Sequence, residues 1–596
     1  MATTSGALAL VNNRWLAIVA TGLLLSIGGC GGNDAPATAP ASDRAAQPGR
    51  AAQTGIVLDA PESIGGSNRI AFHWSSDTTG LTYSVLIAAN GNADFVAQAS
   101  GINDQSTQLQ RGAAWRLDFP SARAKVRGCD ADGNCIDSNE QPLLDALLGG
   151  VVKLSDDGCV DDFSSGLTVS GDGNTLVVAG ARAGTPGGGA AHLHLFERDA
   201  QGRWQRRQVL EAEACAQFVA GSASLDGAGD TLAVSSTPTA ACPAQGGAIE
   251  VFARAGTQWQ RVARISDEPT RLDQRFGELS LARDGRTLAA SVFDAALPLP
   301  SPAPWSGRAR VYVRDDAGAW TLAAALAPEG SGALRAAFGT PRLSGNGAVL
   351  AVQGGREIPN PQDPTAPAQP DSFVALFTRE LASGWIARTT VRSTKPQDCC
   401  ALREDNDRFG ASLALDDDGS TLAVGAPGDN SDASDTVGDP GNHGQPDSGA
   451  VWIFRRSSPA VWSRQAFVKA PGNTGVDFFG ASVALDRDGR TLAATALGQS
   501  VPAGVNRNQA ADRFAVIEPT TQGGTSFGGA AYVFASDDAG QWTQRATALP
   551  PLEPRTHKTN FDVFAMAFAV DTATLVLGVE ENTDDGLPVT TSVFVY

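Results

Sequence analysis

Most of the chain repeats one pattern of apolar and polar positions. In the clearest copy, an alternating apolar run at 409–415 leads to an Asp-Gly turn at Asp418, and a second apolar run returns at 422–427. After a longer loop, the copy continues as an aromatic run at 449–454 and closes at Trp462. An Asp-Gly pair between two such runs is typical of a β-hairpin, because Gly adopts the positive φ that a tight turn requires. Each copy therefore predicts about four β-strands.

Seven such copies follow one another from Phe163 to the C-terminus. Their turns carry an acidic or amide residue, at Asp172, Asp230, Asp284, Asn346, Asp418, Asp488 and Asp571. Six copies close on a Trp, at Trp204, Trp259, Trp320, Trp385, Trp462 and Trp542. A four-stranded unit repeated in this way is typical of blades stacked radially around an axis. We therefore expect an all-β chain in which residues 141–596 form a seven-bladed β-propeller.

The two ends of the repeat region predict how the ring closes. The seventh copy has three strands, and the sequence stops at Tyr596 without the Trp-type outer strand. The apolar segment 148–154 precedes the first copy and has no inner strand of its own. We predict that this segment supplies the missing strand of the seventh blade, since a closed ring leaves no exposed sheet edge.

The N-terminal residues predict export and a flexible tether. Arg14 precedes an apolar run at 15–27, which is shorter than a membrane span and ends in small residues before Cys30. This arrangement is typical of a cleaved signal peptide, here residues 1–29. Residues 30–54 are rich in Gly, Ala, Pro, Ser and Thr without apolar periodicity, which predicts a solvated linker.

A smaller β-domain is predicted at 55–140, before the repeats. Ile70, Phe72 and Trp74 alternate with smaller or polar residues, which places all three on one face of a strand. Another apolar run follows at 83–87. Short strands at this spacing are typical of a β-sandwich.

The best copies resemble a known family of repeats. Residues 409–412, 418–427 and 449–454 are similar to the FG-GAP repeat of integrin-alpha-type propellers, and most similar to its bacterial branch in secreted and surface proteins. The resemblance implies a β-propeller that serves as a binding head. Tryptophan–aspartate propellers also use Asp-Gly turns, but their units of about 40–45 residues are shorter than the separation of Trp204 from Trp259.

Two further resemblances concern the N-terminal part. Residues 27–30 are similar to the bacterial lipobox, which implies that Cys30 is acylated and becomes the new N-terminus. Gly31 stands where the family places an Asp for inner-membrane retention, which implies an outer-membrane or surface address in a Gram-negative envelope. Plain secretion stays open as an alternative. Residues 55–140 resemble a fibronectin type III domain with Trp74 as its core Trp.

Charge and cysteine usage agree with an exported protein. The net charge of −19 disfavours nucleic acid and anionic membrane surfaces as partners. Cys129 and Cys135 flank a short turn, and we expect them to form a disulfide in an oxidising compartment. Five more cysteines lie in predicted loops, and since five is odd, at least one is unpaired or pairs between molecules. Their pairing is open: Cys159, Cys215, Cys242, Cys399 and Cys400.

Calcium is implied by the family resemblance, since integrin propellers bind it in hairpin loops. The turn of the best copy has Asp416 and Asp418, whereas Ala414 and Leu422 stand at the first and last ligand positions. The turn motifs therefore do not support calcium, and we expect no cofactor. A second acidic set lies in the long loop of the same copy, without Lys or Arg. Two interpretations of this set stay open: a solvated loop, or a site for a cation or another ligand. Its members are Asp429, Asp432, Asp435, Asp439 and Asp447.

No catalytic pattern in the sequence is convincing. Residues 524–528 match Gly-x-Ser-x-Gly, but a β-type run follows where a nucleophile elbow requires a helix. His192 and His194 share one face of a strand, where we expect surface positions. We therefore predict a non-enzymatic, lipid-anchored interaction or adhesion protein that binds a protein or glycan ligand at the cell surface. The alternative is a propeller hydrolase or lyase for extracellular polysaccharide, whose acidic residues meet at the mouth of the ring.

Loop lengths predict the binding surface. In a four-stranded blade, the loop after the second strand and the link to the next blade emerge on one face. Long insertions of the first kind follow Ser291, Gly354, Pro427 and Leu497. Long loops on a rigid scaffold commonly carry recognition, so we expect the ligand there. Lengthening a loop costs only ~0.6 kcal/mol per doubling, so we expect that shortening 428–448 leaves stability nearly unchanged.

Overall fold

The computed structural model describes residues 55–63, 69–89, 93–110, 121–143, 152–154, 162–181, 189–190, 192–200, 202–219, 221–239, 246–266, 274–294, 307–328, 336–358, 369–393, 407–433, 444–471, 475–498, 529–548, 559–569, 574–583 and 590–595. Within these ranges every regular element is a β-strand, so the all-β prediction is confirmed. Among the described elements there is no helix able to cross a membrane. Cys30, the predicted signal peptide at 1–29 and the predicted tether at 30–54 lie outside the described residues.

The described residues between 55 and 143 form two antiparallel sheets. The first contains β1 (Ile56–Leu58), β2 (Glu62–Ser63), β3 (Arg69–Ser76) and β6 (Ser106–Gln110), with β3 at its centre. The second contains β4 (Thr82–Ala88), β5 (Val96–Ile102), β7 (Arg123–Cys129), β8 (Cys135–Asp137) and β9 (Gln141–Pro142). Ile70, Phe72 and Trp74 are all buried, as their alternation predicts, and Trp74 packs edge-on against Tyr83 with ring centroids 5.4 Å apart. Cys129 and Cys135 form the expected disulfide between β7 and β8.

Seven further antiparallel sheets occupy the rest of the described chain, and we number them in chain order. Sheet 1 contains β11 (Asp162–Val169), β12 (Thr175–Ala181), β14 (His192–Arg198) and β15 (Trp204–Glu211). Sheet 2 contains β13 (Gly189–Ala190), β16 (Ala216–Val219), β17 (Ser224–Leu225), β18 (Thr231–Pro238), β19 (Ala248–Ala255) and β20 (Gln258–Ile265). Sheet 3 contains β21 (Gln274–Leu281), β22 (Thr287–Asp294), β23 (Arg308–Arg314) and β24 (Trp320–Leu326).

The remaining sheets repeat the same meander of neighbouring strands. Sheet 4 contains β25 (Ala336–Leu343), β26 (Val349–Ile358), β27 (Gln369–Glu380) and β28 (Gly384–Val391). Sheet 5 contains β29 (Ser412–Leu415), β30 (Thr421–Ala426), β31 (Ala450–Ser458) and β32 (Val461–Val468). Sheet 6 contains β33 (Val483–Leu485), β34 (Thr491–Ala496), β35 (Ala530–Ser536) and β36 (Trp542–Ala548). Sheet 7 contains β37 (Thr559–Ala569), β38 (Thr574–Thr583), β39 (Thr590–Val595) and β10 (Val152–Leu154).

The two ends of the repeat region meet in sheet 7. Strand β10 pairs antiparallel with β39, with Val152 opposite Val595 and Leu154 opposite Val593. The outer strand is therefore supplied by the segment before sheet 1, as the sequence predicts. The first strand of each sheet contacts the sheet that follows, and β37 of sheet 7 contacts β11 of sheet 1. The sheets thus form a closed circuit.

Apolar residues fill the spaces between adjacent sheets. Phe479, from the repeated Phe-Gly pair, is fully buried and lies 6.0 Å by ring centroids from both Tyr532 and Phe534. Phe409 makes the equivalent edge-on contacts with Trp452 and Phe454 in sheet 5, at 6.4 and 6.2 Å. The recurrence of Phe at this position follows from packing, because Phe409 and Phe479 each cover the aromatic third strand of their own sheet.

Candidate functional site

The acidic loop between β30 and β31 is divided between the interior and the surface. Asp429 is fully buried, Asp432 is exposed, and Asp447 is half-buried with φ at 51°. Asp435 and Asp439 lie outside the described residues. The described members of the set are therefore not equivalent, and one of them is part of the protein core.

A lysine that the loop itself does not contain neutralises the buried carboxylate. Lys469 follows directly on β32, 40 residues beyond Asp429, and both side chains are completely shielded from solvent. Its Nζ lies 3.1 Å from Oδ1 of Asp429 and donates to Oγ of Ser448 at 2.6 Å. The Oγ of Ser448 in turn lies within 3.1 Å of the carbonyl oxygens of Asp429 and Ser431. This network fixes both ends of the loop to the sheet.

The link that enters sheet 6 is bonded to the same loop. The N–H of Val476 donates to the carbonyl of Pro446 at 2.7 Å, and the N–H of Phe478 donates to the carbonyl of Asp447 at 2.9 Å. Within sheet 6, the N–H of Gly498 donates to the carbonyl of Asp477 at 3.0 Å, which joins the link to the second loop of that sheet. Loop and link therefore lie side by side, as predicted from blade geometry. We call residues 427–433, 444–449 and 475–480 the loop platform.

Backbone strain is concentrated in the loop platform. Among the described residues, five other than Gly have a positive φ: Cys215, Arg408, Asp447, Val476 and Phe478. Three of these five belong to the platform. Val476 has φ at 60° although it is β-branched, and its side chain is 53% exposed. Such a conformation costs on the order of 1–3 kcal/mol and persists only when surrounding contacts hold it, which is common at functional sites.

Asp477 places a second buried carboxyl group under the platform. Its side chain is fully buried between the exposed Val476 and the half-buried Phe478. Burial, together with the charge of Asp477, raises the pKa of the Tyr532 phenol well above its usual value. Tyr532 therefore stays neutral at any physiological pH and contributes packing to sheet 6.

The other end of the sheets carries a small cavity on the axis of the circuit. Turns between the first two strands of sheets 1 to 6 converge there around a volume of about 150 Å³. Its floor consists of the leucines that end the first strands, Leu225, Leu281, Leu343, Leu415 and Leu485. We call this cavity the axial cup. The corresponding turn of sheet 7, residues 570–573, lies outside the described part.

Charged side chains from three sheets form part of the rim of the axial cup. The Nε of Arg283 in sheet 3 lies 2.8 Å from Oδ1 of Asp417 in sheet 5. The Nε of Arg487 in sheet 6 lies 2.9 Å from Oδ2 of the same carboxylate. Asp417 thus joins two arginines that come from different sheets.

Backbone hydrogen bonds connect the turns around the cup. Each bond joins a backbone N–H of one turn to a backbone carbonyl oxygen in the turn of the next sheet, at 2.8–2.9 Å. The donor and acceptor residues are Asp172 and Gly227, Gly227 and Arg283, Arg283 and Gly345, Asn346 and Asp417, and Asp417 and Arg487. Glycine is required in two of these turns, because a Cβ at Gly227 would overlap Arg283 and a Cβ at Gly345 would overlap Asp417. The small residues therefore make room for the charged rim.

The Asp-Gly turns are held by their own side chains. Oδ1 of Asp416 accepts from the N–H of Ser420 at 2.8 Å, and its Oδ2 accepts from the Ser420 hydroxyl at 2.8 Å. Burial raises the pKa of Asp416, against the opposing effect of these hydrogen bonds. Asp418 accepts from the same N–H at 2.8 Å. Among the described residues, no group of three or more His, Cys, Asp or Glu is placed to hold a metal ion.

Two other sequence expectations can be compared with the structure. His194 is buried on β14, so the expectation of a surface position is wrong for this residue, whereas its neighbour His192 is half-buried. Cys215 is disulfide-bonded and lies on the link that enters sheet 2. The cysteines Cys159, Cys242, Cys399 and Cys400 and the Gly-x-Ser-x-Gly match at 524–528 lie outside the described residues.

Comparison with known proteins gives no family assignment. No protein-family model and no curated protein matches the sequence. Among solved structures, the C-terminal WD40 domain of Sif2 is similar at 8% identity and a TM-score of 0.36, over 74% of this chain and 96% of that one. A puromycin hydrolase is similar at 12% identity and a TM-score of 0.34, over 88% of this chain. A puromycin-hydrolyzing peptidase of Mycobacterium tuberculosis is similar at 11% identity and a TM-score of 0.32, over 89% of this chain. The chain spans 58% of the length of each of these two hydrolases.

Proposed function

We propose that this chain is a lipid-anchored interaction or adhesion protein of the cell envelope. In this proposal residues 141–596 are a seven-bladed β-propeller of the FG-GAP type that acts as the binding head, and residues 55–140 are a fibronectin type III-like β-sandwich that acts as a stalk. Residues 30–54 tether both to an acylated Cys30 in the outer membrane of a Gram-negative bacterium. The ligand is a protein or a glycan.

The loop platform is the observation that carries the proposal. The buried ion pair of Lys469 and Asp429 fixes it to sheet 5. Backbone hydrogen bonds between residues 446–448 and 476–479 join its loop to the link that enters sheet 6. A rigid surface binds with less loss of conformational entropy than a mobile loop does. Val476 and the half-buried Phe478 therefore stand in a preorganised surface, next to Asp447, whose carbonyl accepts from the N–H of Phe478.

A catalytic role has less support from the groups at the axial cup. Asp417 accepts from two arginines, and Asp226 accepts from the N–H of Asp230 at 2.8 Å. Asp486 accepts from the N–H groups of Arg490 and Thr491. A glycosidase needs one carboxyl group as acid and a second as base or nucleophile. The described carboxyl groups of the cup are instead engaged in holding turns and pairing arginines, so the proposed function is non-enzymatic.

A pair of matched substitutions tests the proposal. Val476→Asp introduces a charge on the loop platform, and Asp tolerates the positive φ better than Val does. Val461→Asp is the control, because Val461 is also 53% exposed but lies in the hairpin at the other end of sheet 5. The soluble Cys30→Ala form of each would be labelled and measured for binding to intact cells and to a glycan array. We expect a loss of about tenfold or more for Val476→Asp alone.

Equal binding by the two variants would show that the ligand does not bind at the loop platform. Absence of wild-type binding to cells and to glycans would reject the proposed function altogether.

A further inference from the structure

The outer edge of sheet 3 differs from the outer edges of the other described sheets. Its last strand, β24, has the sequence WTLAAAL and contains no charged residue. The outer strand of each of the other six sheets contains at least one Lys or Arg. The neutral segment extends beyond the strand, over residues 317–328. Because an edge strand presents backbone N–H and C=O groups that can pair with another chain, charged side chains are a common protection, and β24 lacks them.

A second protective feature is shared by these edges and does not distinguish β24. In each of sheets 1 to 6, the outer strand has an additional residue at the same place in its pairing with the third strand, which forms a β-bulge. The additional residues are Arg207, Val262, Ala323, Arg388, Gln465 and Arg545. The other five edges therefore combine a bulge with charge, whereas β24 has the bulge alone.

The strand is accessible and firmly held. Leu322 is 49% exposed, and Thr321, Ala323 and Ala325 are exposed as well. The residues at its two ends are half-buried: Trp320 packs against the core between sheets 2 and 3, and Leu326 packs against the core between sheets 3 and 4. The edge is therefore an apolar surface on a rigid support, and an exposed apolar edge strand of this kind is expected to associate.

We infer that this edge is a self-association surface, at which β24 pairs antiparallel with β24 of a second copy of the chain. The inference concerns a different surface from the loop platform and does not depend on the proposed function. Such a pairing is isologous, because each copy contributes the same patch.

Charge favours a second copy at this edge over contact between two copies elsewhere. With a net charge of −19, two copies repel each other over most of their surface. Along two antiparallel copies of 317–328, no like charges face each other in any register within the segment. In β36, by contrast, Arg545 is the middle residue, so two antiparallel copies aligned end to end would place it opposite itself.

The size and the neutrality of the contact predict its behaviour. A contact confined to one strand is small beside the roughly 1,200–2,000 Å² of stable interfaces, so we expect a reversible dimer. Salt screens the repulsion between two acidic molecules, so a higher ionic strength should strengthen the dimer. An interface built from ion pairs would respond in the opposite direction.

Sedimentation equilibrium of the soluble Cys30→Ala form, from low micromolar to submillimolar concentration, tests the inference. We expect a monomer–dimer equilibrium in this form. In the same background, Ala323→Arg should weaken the dimer by about tenfold or more, because like charges then meet across the two-fold axis. Its melting temperature should stay unchanged, since the site is exposed and the bulges of sheets 1, 4 and 6 carry an arginine there. Gln465→Arg is the control, at the exposed bulge of sheet 5, and should dimerise like its parent.

Hydrogen–deuterium exchange locates the contact. The amides of 320–326 should exchange more slowly at high protein concentration than at low concentration, with no change in β28 and β32. A form that is monomeric at every concentration and salt level would overturn the inference, as would a dimer that leaves the exchange of β24 unchanged. Equal dimerisation of Ala323→Arg and Gln465→Arg would also overturn it.

These results are distinguishable from those for the proposed function. Val476→Asp should leave the monomer–dimer equilibrium unchanged, because it alters the loop platform and not the outer edge of sheet 3. A monomeric protein that still binds cells or glycans through the platform would refute the self-association surface alone.

Discussion

Nζ of Lys469 lies 3.1 Å from Oδ1 of Asp429, and both side chains are fully buried. The pair joins the end of β32 to a loop that begins after β30 in the same sheet. The long loop of sheet 5 is therefore part of the fold at its two ends.

Removing one member of this pair should destabilise the protein strongly. We expect Lys469→Met to lower the free energy of unfolding by about 3–5 kcal/mol, because it leaves a buried carboxylate without its cation. The double variant Lys469→Met/Asp429→Leu should be more stable than Lys469→Met alone. Urea unfolding of the three proteins measures the difference. If the double variant is the least stable, the charges contribute to stability independently of each other.

The same pair changes the expected effect of shortening the loop. The sequence predicts that replacing 428–448 by a tight turn is nearly neutral. That deletion removes Asp429 and Ser448 and leaves Lys469 buried, so we now expect a large loss of stability from it. A shorter deletion of 434–443 keeps both partners and should shift the melting temperature little. Differential scanning calorimetry of the two deletions decides between these expectations.

The Phe of the Phe-Gly pair should be a main source of stability. We expect Phe479→Ala to cost about 3–5 kcal/mol, because it empties a space enclosed by Tyr532 and Phe534. Phe293→Ala is the control, since Phe293 is 39% exposed. Equal denaturation midpoints for the two variants would contradict the packing account.

Closure of the circuit depends on the short strand β10. Leu154 is buried with Val593 and Val595 of sheet 7 and Leu176 of sheet 1. Leu154→Asp should lower the unfolding free energy of residues 152–595 by about 3 kcal/mol or more, because a charge is buried without a partner. Ile136→Asp, at an exposed position of β8, should have little effect. A normal melting transition for Leu154→Asp would show that β10 is dispensable.

The sheet that contains β7 and β8 should lose stability in acid through Asp137. Hydrogen bonds from Arg127, at 2.6 and 2.9 Å, and from Lys125 hold the pKa of Asp137 at about 2, below the ordinary value of 3.8. Since the pKa in the folded state is the lower one, its contribution is present above pH 3.8 and is lost as the pH falls toward 2. The melting temperatures of wild type and Asp137→Asn should differ at pH 5 and converge near pH 2. A difference that is independent of pH would exclude this ion pair as the cause.

The sequence predicts the sheets well because the residues that specify each hairpin lie close together along the chain. Each turn needs its Gly within a few residues of the apolar runs that it joins, so the repeat is visible without a structure. The pairing of β10 with β39 is also predicted, because the last repeat lacks its fourth strand and the segment before the first repeat contains an additional one. Ion pairs between side chains of different sheets cannot be predicted in this way. Arg283 and Asp417 are 134 residues apart, and no pattern in the sequence connects them.

The same limit applies to the loop platform. The acidic loop reads as a uniform charged segment, whereas folding buries Asp429 against a distant lysine and leaves Asp432 in solvent. The positive φ of Val476 has no signal in the sequence, because it results from bonds to residues of the preceding sheet. A search for a lone Lys directly after a strand that ends on two apolar residues, here Phe467 and Val468, would have identified Lys469 as a candidate partner.

Hydrogen–deuterium exchange of the protein bound to its cellular or glycan ligand tests the central claim most directly. The account predicts slower exchange at 444–449 and 475–480 on binding, with no change in the turns at 226–229, 417–419 and 487–489. Protection confined to those turns, with none on the loop platform, would contradict it.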